Sequence, residues 1–283
     1  RFGGNPLAVL PDATGLSSVQ MQQIAREFNF SESTFVLPSH GGYTRNVRIF
    51  TPTQEIPFAG HPNIGTAFTL ASIGELGNID EGLNIIFEEK AGPVPISIRQ
   101  VGADIWCELK APESLSLGQS IDLDLIAAAL SLVPEDIVTS THQPIVASVG
   151  LPFVIVELDS RLALERARSY LPVIKEIQEL GVIPDILLYV RSDDDFDIRA
   201  RMFAPLDGVP EDPATGSANC ALAALLSHYK TESTGDFGWR IAQGVEMKRP
   251  SVLEARSKKR PDSGIDVWVS GTCKMVSEGL IEI

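Results

Sequence analysis

Cysteine is scarce. Cys107, Cys220 and Cys273 are the only three in 283 residues. An odd, scattered set builds no disulfide framework, and its default setting is a reducing cytoplasm. None stands in C-x-x-C spacing, so a thiolate zinc site has no support. Long apolar runs are missing too: nothing approaches the roughly 20 residues of a membrane span. No signal-peptide pattern is visible, but the chain opens at Arg1 without a Met, so that absence carries little weight. Positive charge is short, with 23 Lys+Arg against 37 Asp+Glu and a formal charge of −14. This argues against nucleic acid and anionic membrane surfaces as partners, because both need a positive face. A small anionic substrate stays open, since the field inside a pocket can differ from the net charge. No strand leads into G-x-G-x-x-G or G-x-x-x-x-G-K-[ST], so a nucleotide-binding fold lacks its fingerprint. The acidic run Asp193-Asp194-Asp195 lacks the glycine and distal glutamate of a calcium loop and reads as a solvated turn.

What is present is a globular composition, 44% hydrophobic and 21% charged, at a length suited to two domains. Ser17 or Ser18 can cap a helix over 19–28, with Met21, Ile24, Ala25 and Phe28 on one face. Strands are expected at 7–10, 34–37, 43–50, 83–88, 94–100 and 104–110. Residues 112–119 have linker composition. Beyond them come helices at 123–130 and 170–180 and strands at 145–148, 153–158, 186–190 and 198–202. Segments 241–243, 251–255, 265–270 and 273–277 would close the sheet. The domains are then 1–117 and 118–271, with a C-terminal strand at 272–283 packing back on the first. Helices at 62–73 and 214–228 are apolar on most sides, the mark of a buried helix.

Each of these buried helices follows a repeated pattern. His61-Pro62-Asn63-Ile64-Gly65-Thr66-Ala67 and Asp212-Pro213-Ala214-Thr215-Gly216-Ser217-Ala218 both read [H/D]-P-x-x-G-[ST]-A. Both follow R-x-F-x-P, at Arg48 and at Arg201. Proline suits a first helical turn, where its missing N–H is not needed. Two such helix starts expose free N–H groups and a positive dipole end, which suit a small carboxylate. Gly65 and Gly216 allow close approach, and Thr66 and Ser217 add hydroxyls. Gly60, Asn63 and Thr215 complete the expected substrate-binding set. His61 is expected to be neutral at a helix start. Asp212 fits either a catalytic acid or a plain N-cap. Glu32, between a helix end and an apolar strand, is a candidate base if half-buried and a plain surface residue otherwise.

These residues resemble the phenazine-biosynthesis-like isomerase family, relatives of diaminopimelate epimerase. The matching pieces are Phe2-Gly3-Gly4-Asn5-Pro6-Leu7-Ala8-Val9, Met21 to Asn29, Ser31-Glu32-Ser33-Thr34-Phe35-Val36, Gly60-His61-Pro62 and Asp212 to Ala218. They span nearly the whole chain. The resemblance implies an α+β fold of two pseudo-symmetric domains, each a curved, barrel-like mixed sheet wrapped on a central helix. It implies an active site in the interdomain cleft, a homodimer, and no metal or organic cofactor. By the same resemblance Glu32 is the general acid/base, with His61, Asp212 and Ser217 as catalytic partners. The family's best-known member isomerises trans-2,3-dihydro-3-hydroxyanthranilate. Two departures stand out. The family pattern has a strand ahead of the Phe2 motif, and this sequence begins inside that pattern. The epimerase and racemase relatives carry a Cys in each helix-start motif, where this chain has Gly60, His61, Ala214 and Thr215. An epimerase or racemase, or a non-catalytic binding protein on the same fold, are the alternative functions.

Overall fold

The computed structural model describes residues 1–262 and 264–282. The chain forms two compact units, one of residues 1–110 and 270–283, the other of residues 111–269.

The first unit runs β1 (Leu7–Leu10), α1 (Ser18–Phe28), β2 (Glu32–Leu37), β3 (Arg45–Phe50), β4 (Glu55–Ile56), α2 (Gly60–Ser72), β5 (Leu83–Glu89), β6 (Gly92–Val101) and β7 (Asp104–Lys110). Its sheet order is β1-β2-β3-β5-β6-β7. Ser17 starts α1 with a full capping box to Gln20. Asn29, left-handed at φ 52°, ends the helix. Met21, Ile24 and Ala25 are buried against Phe35 and Phe50. Phe28 is 40% exposed instead and stacks on Phe30 beyond the cap, with ring centroids 5.9 Å apart. On the sheet's other face α2 touches β1, β2, β6 and β7. Alternation along β2 serves both layers. Phe35 packs under α1, while the Thr34 hydroxyl bonds that of Thr66 on α2 at 2.8 Å.

The second unit runs β8 (Ser116–Ser120), α3 (Leu123–Ala129), β9 (Ile145–Ser148), β10 (Pro152–Glu157), α4 (Arg161–Arg166), α5 (Leu171–Glu179), β11 (Ile186–Arg191), β12 (Ile198–Ala204), β13 (Val209–Asp212), α6 (Gly216–His228), β14 (Gly235–Gln243), β15 (Ser251–Lys259) and the first part of β16 (Ile265–Thr272), whose last three residues are counted with the first unit. The duplication read from the motifs extends through the sheet. In the first unit β1 and β2 are parallel, β2 and β3 antiparallel, β3 and β5 parallel, β5 and β6 antiparallel. The same sequence of pairings joins β10-β11-β12-β14-β15. Helix α6 lies against β9, β10, β14 and β15, and eleven of its residues are buried. Ala218, Ala221, Ala223 and Ala224 let the sheet close around it. Leu130, Leu164, Ile174 and Ile177 pack the outer helices onto the opposite face.

Several expectations need correction. The linker 112–119 is half strand, because Ser116 and Leu117 pair with Ser148 and Ala147. Segment 273–282 is not a strand. The ladder stops at Thr272, and Lys274 is tied down by its side chain, through an ion pair with Asp104. The last expected strand residue, Ile283, lies outside the described residues. The two buried helices begin at Gly60 and Gly216, not at Pro62 and Ala214. This last shift changes the site.

Candidate active site

In the first unit, Glu32 opens β2 and His61 is the second residue of α2. Both side chains are 17% exposed, and His61 Nε2 lies 3.3 Å from Glu32 Oε2. The pair is in contact but off the line of a hydrogen bond. A chain of side chains behind the ring fixes its tautomer. The Ser31 hydroxyl donates to Asn5 Oδ1 at 3.1 Å, so the Asn5 amide turns its N–H toward His61 Nδ1, 3.2 Å away. Nδ1 therefore accepts, and the single proton of a neutral ring sits on Nε2, facing Glu32. Burial holds the ring neutral by pushing its pKa from 6.5 down to about 3. The expected neutrality thus has burial as its cause. In the sequence Asn5 stands only as one letter of the Phe2-Gly3-Gly4-Asn5-Pro6 piece, with no role of its own.

Two outcomes follow for His61. Its long-range ¹H–¹⁵N spectrum should show the Nε2–H tautomer from pH 6 to 8, with no titration near 6.5. A protonated ring at pH 6 would refute the assignment. The unfolded chain binds the His61 proton at a higher pH than the folded one. Stability should therefore fall as pH drops from 6.5 toward 3.

In the second unit, Asp212 ends β13, paired with Met202, and is 8% exposed. It is not the N-cap of α6; that position is Thr215, in extended conformation. The Thr215 hydroxyl donates to Asp212 Oδ2. Gln243, fully buried at the end of β14, holds the loop together. Its Nε2 donates to Asp212 O at 2.8 Å and to Thr215 Oγ1 at 3.0 Å. Its Oε1 accepts from Thr215 N at 3.3 Å and from Asn219 Nδ2 at 2.7 Å. No local pattern marked Gln243, since its partners lie 24 to 31 residues away. Behind it Gly244 has φ 74°, and a Cβ there would meet Arg249 O at 2.5 Å and Pro213 O at 2.8 Å. Those are backbone atoms and cannot swing aside. Gly244→Ala is expected to cost about 1–3 kcal/mol and to displace the Asp212–Thr215 loop. Urea melts and the Thr215 amide shift would show it; an unmoved amide would contradict it.

Position by position, the helices match in a different register from the sequence repeat. Gly60-His61-Pro62-Asn63 opens α2 as Gly216-Ser217-Ala218-Asn219 opens α6. His61 therefore corresponds to Ser217, not to Asp212. Ser217 is one of only two α6 residues that are not buried. Asn63 and Asn219 each donate to the backbone carbonyl four residues back, Ala59 O at 3.0 Å and Thr215 O at 2.9 Å. Among the other expected ligand contacts, Thr66 is buried and bonded to Thr34. A Cβ on Gly65 would sit 2.5 Å from Leu7 Cδ2, so this glycine also serves helix–strand packing. No thiol occupies either second position. Cys220 is the fifth residue of α6 and 2% exposed, so the two-thiol arrangement of a racemase is not formed. Among the described residues no group of three or more His, Cys, Asp or Glu is placed to hold a metal ion.

The family of phenazine biosynthesis-like proteins matches residues 1–279. The chain belongs to this family. A trans-2,3-dihydro-3-hydroxyanthranilate isomerase of Pseudomonas aeruginosa is 36% identical over 98% of this chain and 93% of its own length. An uncharacterized isomerase of Mesorhizobium japonicum is 34% identical, over 100% of this chain and 95% of its own length. The solved structure of a PhzF-family phenazine biosynthesis protein from Bacillus anthracis matches with a TM-score of 0.85 at 23% identity, over 95% of this chain and 90% of that one. The architecture is the diaminopimelate-epimerase-like α+β fold, and the enzyme class is isomerase. No helix among the described residues is long and apolar enough to cross a membrane.

Proposed function

We propose that this member of the phenazine biosynthesis-like family is a cofactor-independent isomerase of a small carboxylate like trans-2,3-dihydro-3-hydroxyanthranilate. Glu32 is its general acid/base. The observation that carries this is the Glu32–His61 contact at 3.3 Å, with the ring proton fixed on Nε2 by Asn5. Glu32 takes a proton from one carbon and returns it to another while the double bond shifts, so no electrons are gained or lost. The neutral His61 N–H donates to the substrate and limits its loss of protons to water. Asp212 and Ser217 serve the same reaction. Asp212 is held by Thr215 and Gln243, and Ser217 stands partly exposed beside the free N–H groups of a helix start. Gly60, Asn63, Gly65, Thr66, Thr215 and Gly216 shape the two helix starts that receive the substrate. A homodimer in the cytoplasm completes the proposal, and sedimentation velocity tests the dimer.

The function is tested by proton NMR with trans-2,3-dihydro-3-hydroxyanthranilate in deuterated water. Isomerisation with deuterium entering at the ring carbon supports the proposal. Tight binding without exchange, on this and other small carboxylates, would favour a binding protein instead.

A further inference from the structure

Glu89 is the last residue of β5, 7% exposed, and neither carboxyl oxygen has a hydrogen-bond donor. Its neighbour is the side chain of Asn63, fully buried on the first turn of α2, whose Oδ1 also lacks a donor. The Asn63 amide cannot be turned around to correct this, because its Nδ2 is engaged with Ala59 O at 3.0 Å. Three buried oxygens thus lack a well-formed hydrogen bond, and the one donor beside them, Asn63 Nδ2, is already engaged with Ala59 O. A single proton on Glu89 makes the carboxyl a donor and satisfies the group.

The duplication shows what this position does. Arg45 pairs with Phe87 in the first unit, and Ile198 with Ile241 in the second. Arg45 and Ile198 each stand three residues before the arginine of R-x-F-x-P, so Glu89 corresponds to Gln243, each the last residue of its strand. Asn63 corresponds to Asn219, whose Nδ2 donates to Gln243 Oε1, while Gln243 Nε2 donates to the loop before the helix. A protonated glutamate and a glutamine have nearly the same shape, and both can donate.

We propose that Glu89 is a positioning residue that works as a neutral carboxylic acid, pairing with the Asn63 side chain and so holding the His61 turn as Gln243 holds the Ser217 turn. This rests on His61 belonging to the active site. Burial pushes the Glu89 carboxyl up to about 8, with the Asn63 amide pulling the other way. Charged groups on the surrounding elements are engaged elsewhere. On β3, Arg45 pairs with Glu75 and Arg48 with Glu55. Glu88 on β5 is bonded by Ser39 and the His40 amide. The charge of Lys90 acts on Glu55. On β6 the residue opposite is Gly92, and on α2 His61 is neutral.

The sign follows from the raised pKa. The folded chain keeps the Glu89 proton to a higher pH than the unfolded chain. Its stability contribution is full below the usual 4.5 and is lost as pH rises through about 8. Glu89→Gln carries no such charge. Its melting temperature should match wild type near pH 5, and the gap in its favour should widen by several degrees up to pH 8 and then level off. Carbon-13 labelling of glutamate carboxyls should show one signal, absent from Glu89→Gln, that remains protonated at neutral pH. The His61 ring nitrogen shifts should be preserved in Glu89→Gln and displaced in Glu89→Leu. A Glu89 signal that titrates in the ordinary carboxylate range, or parallel melting profiles, would overturn the proposal. So would unchanged His61 shifts in Glu89→Leu. None of these readouts uses a substrate, so they stand apart from failure of the isomerase assignment.

Discussion

Glu32→Gln is expected to lower kcat by about 10²- to 10⁴-fold, the usual range for losing a positioned general base. The amide keeps the size of the side chain and its reach toward His61, but it cannot accept a proton from carbon. Folding should be preserved, because Glu32 is partly exposed at a strand end rather than sealed in a core. Substrate affinity should change little, which separates this result from simple damage to the pocket. The deuterium exchange assay reads chemistry directly, and thermal melting beside it checks the fold. Wild-type exchange in Glu32→Gln would remove Glu32 from the mechanism. Asn5→Ala makes a graded companion. It leaves both catalytic groups in place but frees the imidazole tautomer, so a partial loss is expected.

The second large effect is on stability. Arg201→Ala should destabilise the second unit by about 3–5 kcal/mol, the range for removing one member of a buried ion pair. The Arg201 side chain is 4% exposed. Its guanidinium donates twice to Glu211, at 2.8 and 2.9 Å, and to the carbonyls of Leu164 and Ala167 at 2.8 and 2.9 Å. Those carbonyls end α4, where no intrahelical donor is available. Alanine strands the Leu164 carbonyl and the Glu211 carboxylate, leaves Ala167 O only its bond from Arg168 Nη1, and opens a cavity beside Phe203, whose ring the guanidinium covers at 4.8 Å. Arg48 is its counterpart in the repeat, with two bonds to Glu55 and a position over Phe50 at 5.1 Å. Its side chain is 24% exposed, so water can replace part of what it loses. Arg48→Ala should therefore cost less. Denaturant unfolding of both variants tests the order, and a loss below about 1 kcal/mol for Arg201→Ala would contradict the account.

Much of this architecture was legible in the sequence because it rests on local pattern. Ser17 and Gln20 place the start of α1. The small apolar residues from Ala218 to Leu226 mark a helix with no solvent face. The R-x-F-x-P pair reports the duplication, and the structure assigns both arginines the same task. Glu32 and His61 each carried a chemical signal of their own, and the structure brings them into contact. Asn5, Glu89 and Gln243 did not, because their partners lie far along the chain. Asn5 meets His61 across 56 residues. Phe28 was misplaced because helical periodicity does not anticipate where a left-handed cap turns the chain.

The repeat register shows most clearly where the sequence stops. Its letters align His61 with Asp212, yet the helices align His61 with Ser217. Proline is the cause. No N–H in the first helical turn has an intrahelical partner, so proline fits at the first helical position or, as Pro62 does, at the third. It therefore signals a helix start without fixing it. In the second unit, strand pairing keeps the chain extended as far as Asp212, and Gln243 holds Thr215 at the cap. The sequence by itself determined two like halves, their buried helices and the candidate acid/base. Tertiary structure decided which residues are equivalent, which nitrogen of His61 carries the proton, and which carboxyl is buried beside Asn63. Those are set by burial and by partners distant in the chain, and neither is written in any local run of residues.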